Sequence, residues 1–183
     1  EICSRDWSSD VCSSDLQEKT KMKQKVLLIG LTTFISVVLD QFTKYLANQY
    51  LIGREPISYL NDFFVLVYSI NHGAFLGLGH TLPEHLRTII FSVLVGIFLV
   101  AFTIYALRNK SFTTWHDIAC GLIISGGFSN LYDRITNNGG VVDFMNMGIG
   151  SLRTGIFNVA DMAIMAGTFL LIIYTSKSTE KSQ

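Results

Sequence analysis

Asp40, Lys44, Asp133, Arg134, Asp143 and Asp161 stand in or beside stretches that are otherwise apolar. Placing an ionisable group in such surroundings costs a few kcal/mol unless it is paired or hydrated, so each one requires a reason. Asp40 and Lys44 are four residues apart and share one helix face, which reads as a structural ion pair. Asp133 and Arg134 are adjacent and point in different directions, so each needs its own partner. Backbone carbonyls or a carboxylate of a neighbouring connection suit Arg134, in a structural or substrate-orienting role. Asp143 and Asp161 differ from these, because neither has a basic residue at helical pairing distance. Two carboxylates brought together in a low-dielectric site cannot both ionise easily and share a proton. One then serves as general base toward water and the other as general acid toward a peptide, which is what hydrolysis without a metal or a thiol requires. Spacing alone leaves a second reading open, in which Asp161 is the ion-coupling carboxylate of a transporter.

The elements that must position these groups are membrane spans. The 183 residues are 49% hydrophobic, with mean hydropathy +0.39 and no formal net charge. That balance describes a small integral membrane protein and offers no basic stripe for nucleic acid. Residues 1–21 are polar and aperiodic, with Cys3 and Cys12. They read as a non-native or disordered extension, 1–16 resembling translated adapter sequence and Met22 the natural start. In the remaining domain, 22–183, only Cys120 is left, so no disulfide framework or cysteine metal site is expected. His72, His80, His85 and His116 lack close ligand spacing, and neither metal nor cofactor is implied.

A helix needs about 20 mainly apolar residues to cross the hydrocarbon. Four segments approach this: Val26 to about Ala47, Thr88 to Leu107, about Thr114 to Tyr132, and about Thr154 to Ser176. Lys23, Lys25, Arg108, Lys110, Lys177 and Lys181 fall at the termini and in the second connection, which puts both termini in the cytoplasm. The first and third connections then lie outside. Phe63 to Ile70 in the first is rich in β-branched and aromatic residues, so a small extracytoplasmic β-sheet is expected between helices 1 and 2. Gly73, Gly77 and Gly79 follow it as turn residues. Phe91, Phe98 and Phe102 read as lipid- or core-facing, and Trp115 and Tyr174 as interface anchors.

Five blocks, in order, resemble lipoprotein signal peptidase (signal peptidase II). They are Asp40-Gln41-Phe42-Thr43-Lys44, Asn71-His72-Gly73-Ala74-Phe75, Asn130-Leu131-Tyr132-Asp133-Arg134, Val141-Val142-Asp143-Phe144 and Phe157-Asn158-Val159-Ala160-Asp161. The resemblance covers 22–183. It implies a four-helix membrane aspartyl endopeptidase with Asp143 and Asp161 as the catalytic pair, and Asn71, Asn130, Arg134 and Asn158 holding substrate or pair. The implied substrate is a diacylglyceryl-modified prolipoprotein, cut before its lipidated cysteine by a monomer in the bacterial cell membrane, with the site toward the extracytoplasmic face. Two positions depart from the family pattern: Ser129 stands where a glycine usually precedes the asparagine, and Phe75 where many members have a second alanine. Ser129 either crowds a tight helix contact or is absorbed by a neighbouring small residue such as Gly126 or Gly127.

Two other classes compete. A catalytically silent member would act as a lipoprotein-binding or scaffold protein. A transporter would use Asp161, Asp133 and Asp40 as a relay, but a relay should continue into the other half of the spans, where no charge is expected, and no inverted repeat is visible.

Overall fold

The computed structural model describes residues 9–72 and 83–180. Its long elements are the helices α1 (Ser9–Tyr50), α2 (Glu84–Arg108), α3 (Thr114–Thr136) and α4 (Val159–Glu180). Gly73, Phe75, Gly77, Gly79 and His80 lie outside the described residues.

Among the described residues, three helical stretches are long and apolar enough to cross a membrane: Leu16–Tyr50, Thr88–Arg108 and Val159–Ser176. Their outward surfaces carry exposed Phe34, Val38, Leu94, Ile97, Met165 and Phe169, the reverse of a soluble protein's exterior. Helix α3 has similar length but carries buried His116, Asp117, Ser125, Ser129, Asn130 and Asp133. It packs against all three other helices, and side chains of α1 meet Asp117, Ser129, Asn130 and Asp133. Gly126 and Gly167 draw α3 and α4 together, since a methyl group at either would collide with a backbone oxygen, of Ala160 and Ala119 respectively.

Helix α1 has 42 residues, which is about 63 Å of rise. It continues back to Ser9, so residues 9–21 are part of the same helix. Residues 16–24 of it are exposed, and an exposed ion pair joins Glu18 to Lys110.

One four-stranded antiparallel sheet, in the order β1 (Ile57–Tyr59), β2 (Phe64–Asn71), β3 (Val141–Ile149) and β4 (Leu152–Arg153), sits at one end of the helices. The expected placement between helices 1 and 2 is corrected here, because half the sheet comes from the connection between α3 and α4. Val141–Met145 is a run of buried residues, and it pairs with β2 instead of looping freely. Val142, Phe144 and Met145 close a core with Ala47 of α1 and with Leu51, in the turn that follows it.

Helix α4 starts later than the fourth expected span. Thr154 donates to the Met147 carbonyl at 2.7 Å and Phe157 bridges Met145, so the chain stays extended until Asn158. Asp161 is therefore in the first turn of α4 and not two turns into it.

At the opposite end, a second core of Ile29, Ala106 and Cys120 lies beside a buried ion pair between Lys25 and Asp117, 3.2 Å apart. Lys25 also donates to the Asn109 carbonyl at 2.6 Å and lies over the Phe112 ring. Charge is thus present in this half, contrary to the expectation, but no Asp, Glu, Lys or Arg lies between the two ends of the helices. Trp115 and Tyr174 stack on one another here with centroids 5.5 Å apart.

Candidate active site

Two local structures bring Asp143 and Asp161 into one polar pocket. In the sheet, Asp143 pairs with Ser69, and Asn71 lies two residues farther along β2 on the same face. The Asn71 amide donates to Asp143 Oδ2 at 3.0 Å. At the start of α4, Asn158 Oδ1 accepts the Asp161 backbone N–H at 2.9 Å, and Asp161 Oδ2 accepts the Asn158 backbone N–H at 3.2 Å. This reciprocal pair is a helix-capping box, with Asn158 as N-cap and Asp161 three residues on. Chain folding has therefore fixed the Asp161 side chain through a local backbone requirement.

The antiparallel contact of Met145 with Phe157 joins the two pieces. It delivers Asn158 beside β3, where Asn158 Nδ2 donates to Asp143 Oδ1 at 2.7 Å. One residue thus touches both carboxylates. The same amide lies 3.1 Å from Asn130 Oδ1 and 3.2 Å from the Val142 carbonyl. Asn130 Nδ2 donates to the second oxygen of Asp161 at 2.9 Å.

Asp143 is 2% exposed, while Asp161 is half-buried. Burial pushes the Asp143 carboxyl up to about 6, and the nearby Asp161 charge pushes in the same direction; the bonds from Asn71 and Asn158 and the Lys44 charge oppose this. Arg134 is half-buried within electrostatic reach of Asp161, Asp143 and Asp133. Its Nη1 reaches the Asn130 carbonyl of its own helix at 3.4 Å.

The remaining sequence candidates form a second layer. Lys44 pairs with Asp40 at 2.7 Å, as the spacing suggests, and with Asp133 at 2.9 Å. Asp133 also receives Gln41 Nε2 at 2.8 Å and the Val142 backbone N–H at 3.2 Å. Ser129 faces α1, away from Gly126 and Gly127: its hydroxyl donates to Asp40 at 2.6 Å and accepts from Gln41 at 2.9 Å. Gly126 is taken up by α4 and Gly127 by Leu99 of α2.

Sequence reasoning missed Gln41 and Asp117. Gln41 sits inside the first block, and an amide adjacent to Asp40 in an apolar stretch was the available signal. The Asn158-to-Asp161 spacing also matches a capping box, whose usual side chains are Ser, Thr, Asp or Asn followed three on by an acid or amide.

A family model described as signal peptidase (SPase) II matches residues 32–177. The lipoprotein signal peptidase of Borrelia hermsii (strain HS1 / DAH) is 36% identical over 154 residues, covering 81% of this chain and 89% of that protein. That of Syntrophus aciditrophicus (strain SB) is 32% identical over 162 residues, covering 88% of this chain and all of its own length. A solved bacterial membrane enzyme, determined by the in meso method at 2.3 Å resolution, superposes with a TM-score of 0.69 at 25% identity over 85% of this chain and 91% of that one. With the model spanning most of the chain and relatives matched over nearly their full length, the chain belongs to the signal peptidase II family.

Proposed function

We propose that residues 22–183 form an aspartic endopeptidase that removes the signal peptide from diacylglyceryl-modified prolipoproteins, cutting before the lipidated cysteine. The observation that carries the reading is Asn158, which bonds both Asp143 and Asp161. The family's substrate supplies the rest.

Asp143, whose burial favours the protonated form, is the acid, and Asp161 is the base. A water between them gives a proton to Asp161 as its oxygen attacks the scissile carbonyl carbon. The carbonyl oxygen takes the Asp143 proton, yielding a tetrahedral diol. The diol returns a proton to Asp143 as the C–N bond breaks, and the proton on Asp161 passes to the departing amine. The pair ends with the single proton it began with. General acid and base assistance of this kind contributes about 10²- to 10⁴-fold per group.

All four helices cross the membrane in this reading, with α3 shielded from lipid by the others and both termini cytoplasmic. The sheet and the dyad then face the extracytoplasmic side. A groove of about 840 Å³ between α2 and α3 has apolar walls of Ile89, Val93, Leu131 and Ile135 and a polar lip of His72 and Arg134. It offers an apolar substrate segment a path that ends beside the pair.

The test is direct. Purified protein in detergent, given a diacylglyceryl-modified prolipoprotein, should release the signal peptide, and Asp143→Asn and Asp161→Asn should each abolish release. The unmodified precursor should not be cut. Near-normal cleavage by either folded variant would remove that aspartate from the mechanism.

A further inference from the structure

Asp40 and Lys44 have bonds that mutual neutralisation does not explain. Lys44 Nζ contacts Asp40 Oδ2 at 2.7 Å and Asp133 Oδ2 at 2.9 Å, and directs a third bond of 2.9 Å to Asn130 Oδ1. An ammonium has three donors, so its capacity is filled.

The third bond determines which way the Asn130 amide faces. With its oxygen on the ammonium, the amide nitrogen points to Asp161 Oδ1 at 2.9 Å. The reversed amide would set NH₂ against the ammonium and oxygen against the carboxylate, replacing two attractions with two repulsions. The side chains of Lys44 and Asp40 are 3% and 1% exposed, so water cannot substitute for either partner.

Asp40 adds a second hold on the same residue. Its Oδ1 accepts the Ala160 backbone N–H at 2.7 Å, in the first turn of α4 and one residue before Asp161. The N–H groups of a first helical turn have no partner within the helix, so this contact anchors the turn to α1. Its other oxygen is occupied by Lys44 and by Ser129, which stiffens the carboxylate.

We infer that Lys44 and Asp40 are positioning residues for Asp161: Lys44 orients Asn130 toward its carboxylate, and Asp40 holds the helical turn that carries it. The inference rests on the proposal that Asp161 is half of the catalytic pair.

The test uses the full chain and separates kcat from KM. Lys44→Met combined with Asp133→Asn removes the ammonium while preserving the local net charge. Lys44→Arg keeps the charge but places its donors in a rigid planar fork. Each should lower kcat at least tenfold with KM changed less than twofold. Combining either with Asn130→Ala should add less than a threefold further loss beyond Asn130→Ala alone, because both changes break one contact.

Lys25→Met with Asp117→Asn is the structural control, removing the buried pair at the opposite end. It should lower the unfolding midpoint and leave kcat unchanged. Unchanged kcat in a folded Lys44 variant, or losses that multiply with Asn130→Ala, would overturn the positioning role. If Asp161→Asn itself retained cleavage, the catalytic-pair reading would fail instead, so the two failures are distinguishable.

Discussion

Asn158 Nδ2 has two hydrogens and three acceptors within reach, the carboxylate of Asp143, the Asn130 side-chain oxygen and the Val142 carbonyl. The shortest contact, 2.7 Å, goes to the group that can carry a full charge, as charge-assisted bonds should. Asp143 nevertheless ionises reluctantly. Because burial holds its carboxyl near 6, above its ordinary 3.8, the folded state binds this proton more tightly than the unfolded state. Its contribution to stability is therefore present below about pH 4 and is lost as pH rises through 6. Asp143→Asn should make the protein more resistant to heat at pH 7, by up to about 3 kcal/mol, and flatten the dependence between pH 4 and 7. Thermal unfolding in detergent across that range measures it. Asn71 acts in the opposite sense, since its bond favours the ionised form. Asn71→Ala should therefore raise the Asp143 pKa and move the alkaline limb of kcat/KM to higher pH, read from cleavage rates between pH 5 and 9.

At the scale of elements, the seam between α3 and α4 controls how Asn130 meets Asp161. Gly126→Val would drive a branched side chain into the Ala160 carbonyl and Ile164, one residue from Asp161. Cleavage should fall at least a hundredfold and the unfolding midpoint should drop by several degrees, in keeping with about 1–3 kcal/mol for overpacking. Gly30→Ala meets nothing within 4 Å and should leave activity intact. Three helices were legible in the sequence because their apolar runs are long, and α3 because its polar residues are widely spaced within one. β2 was legible from Phe63 to Ile70. The second half of the sheet was not: Val141–Met145 is a five-residue buried run whose partner lies about 70 positions away, and no local pattern announces that pairing. The late start of α4 was hidden for the same reason, since Thr154 and Phe157 are held extended by β3 and not by their own preferences. Asp40 with Lys44 was legible as a pair, but the bonds to Asn130 and Ala160 depend on three helices meeting.

For the whole molecule, orientation decides which compartment the pair serves. Single cysteines at exposed Ser58 and Ser151, in a background without Cys3, Cys12 and Cys120, should label from outside intact cells under the proposed topology. Labelling only after the membrane is opened would reverse it. Gly139 is unsuitable as a probe, because it has φ +89° and any side chain there would strike Thr88. The two buried charge clusters have a consequence for the lipid itself. Lys25 and Lys44 are fixed at opposite ends of one continuous helix, separated by about 28 Å of rise, which is close to the thickness of a hydrocarbon core. Under the proposed topology helix α1 would act as a gauge for the bilayer. In a thinner or thicker membrane one clamp must leave its level, and the strain falls on the contacts that hold Asp161. Cleavage in vesicles of graded acyl length should peak where the hydrocarbon is about 30 Å thick and decline on both sides, even where the unfolding midpoint has not moved.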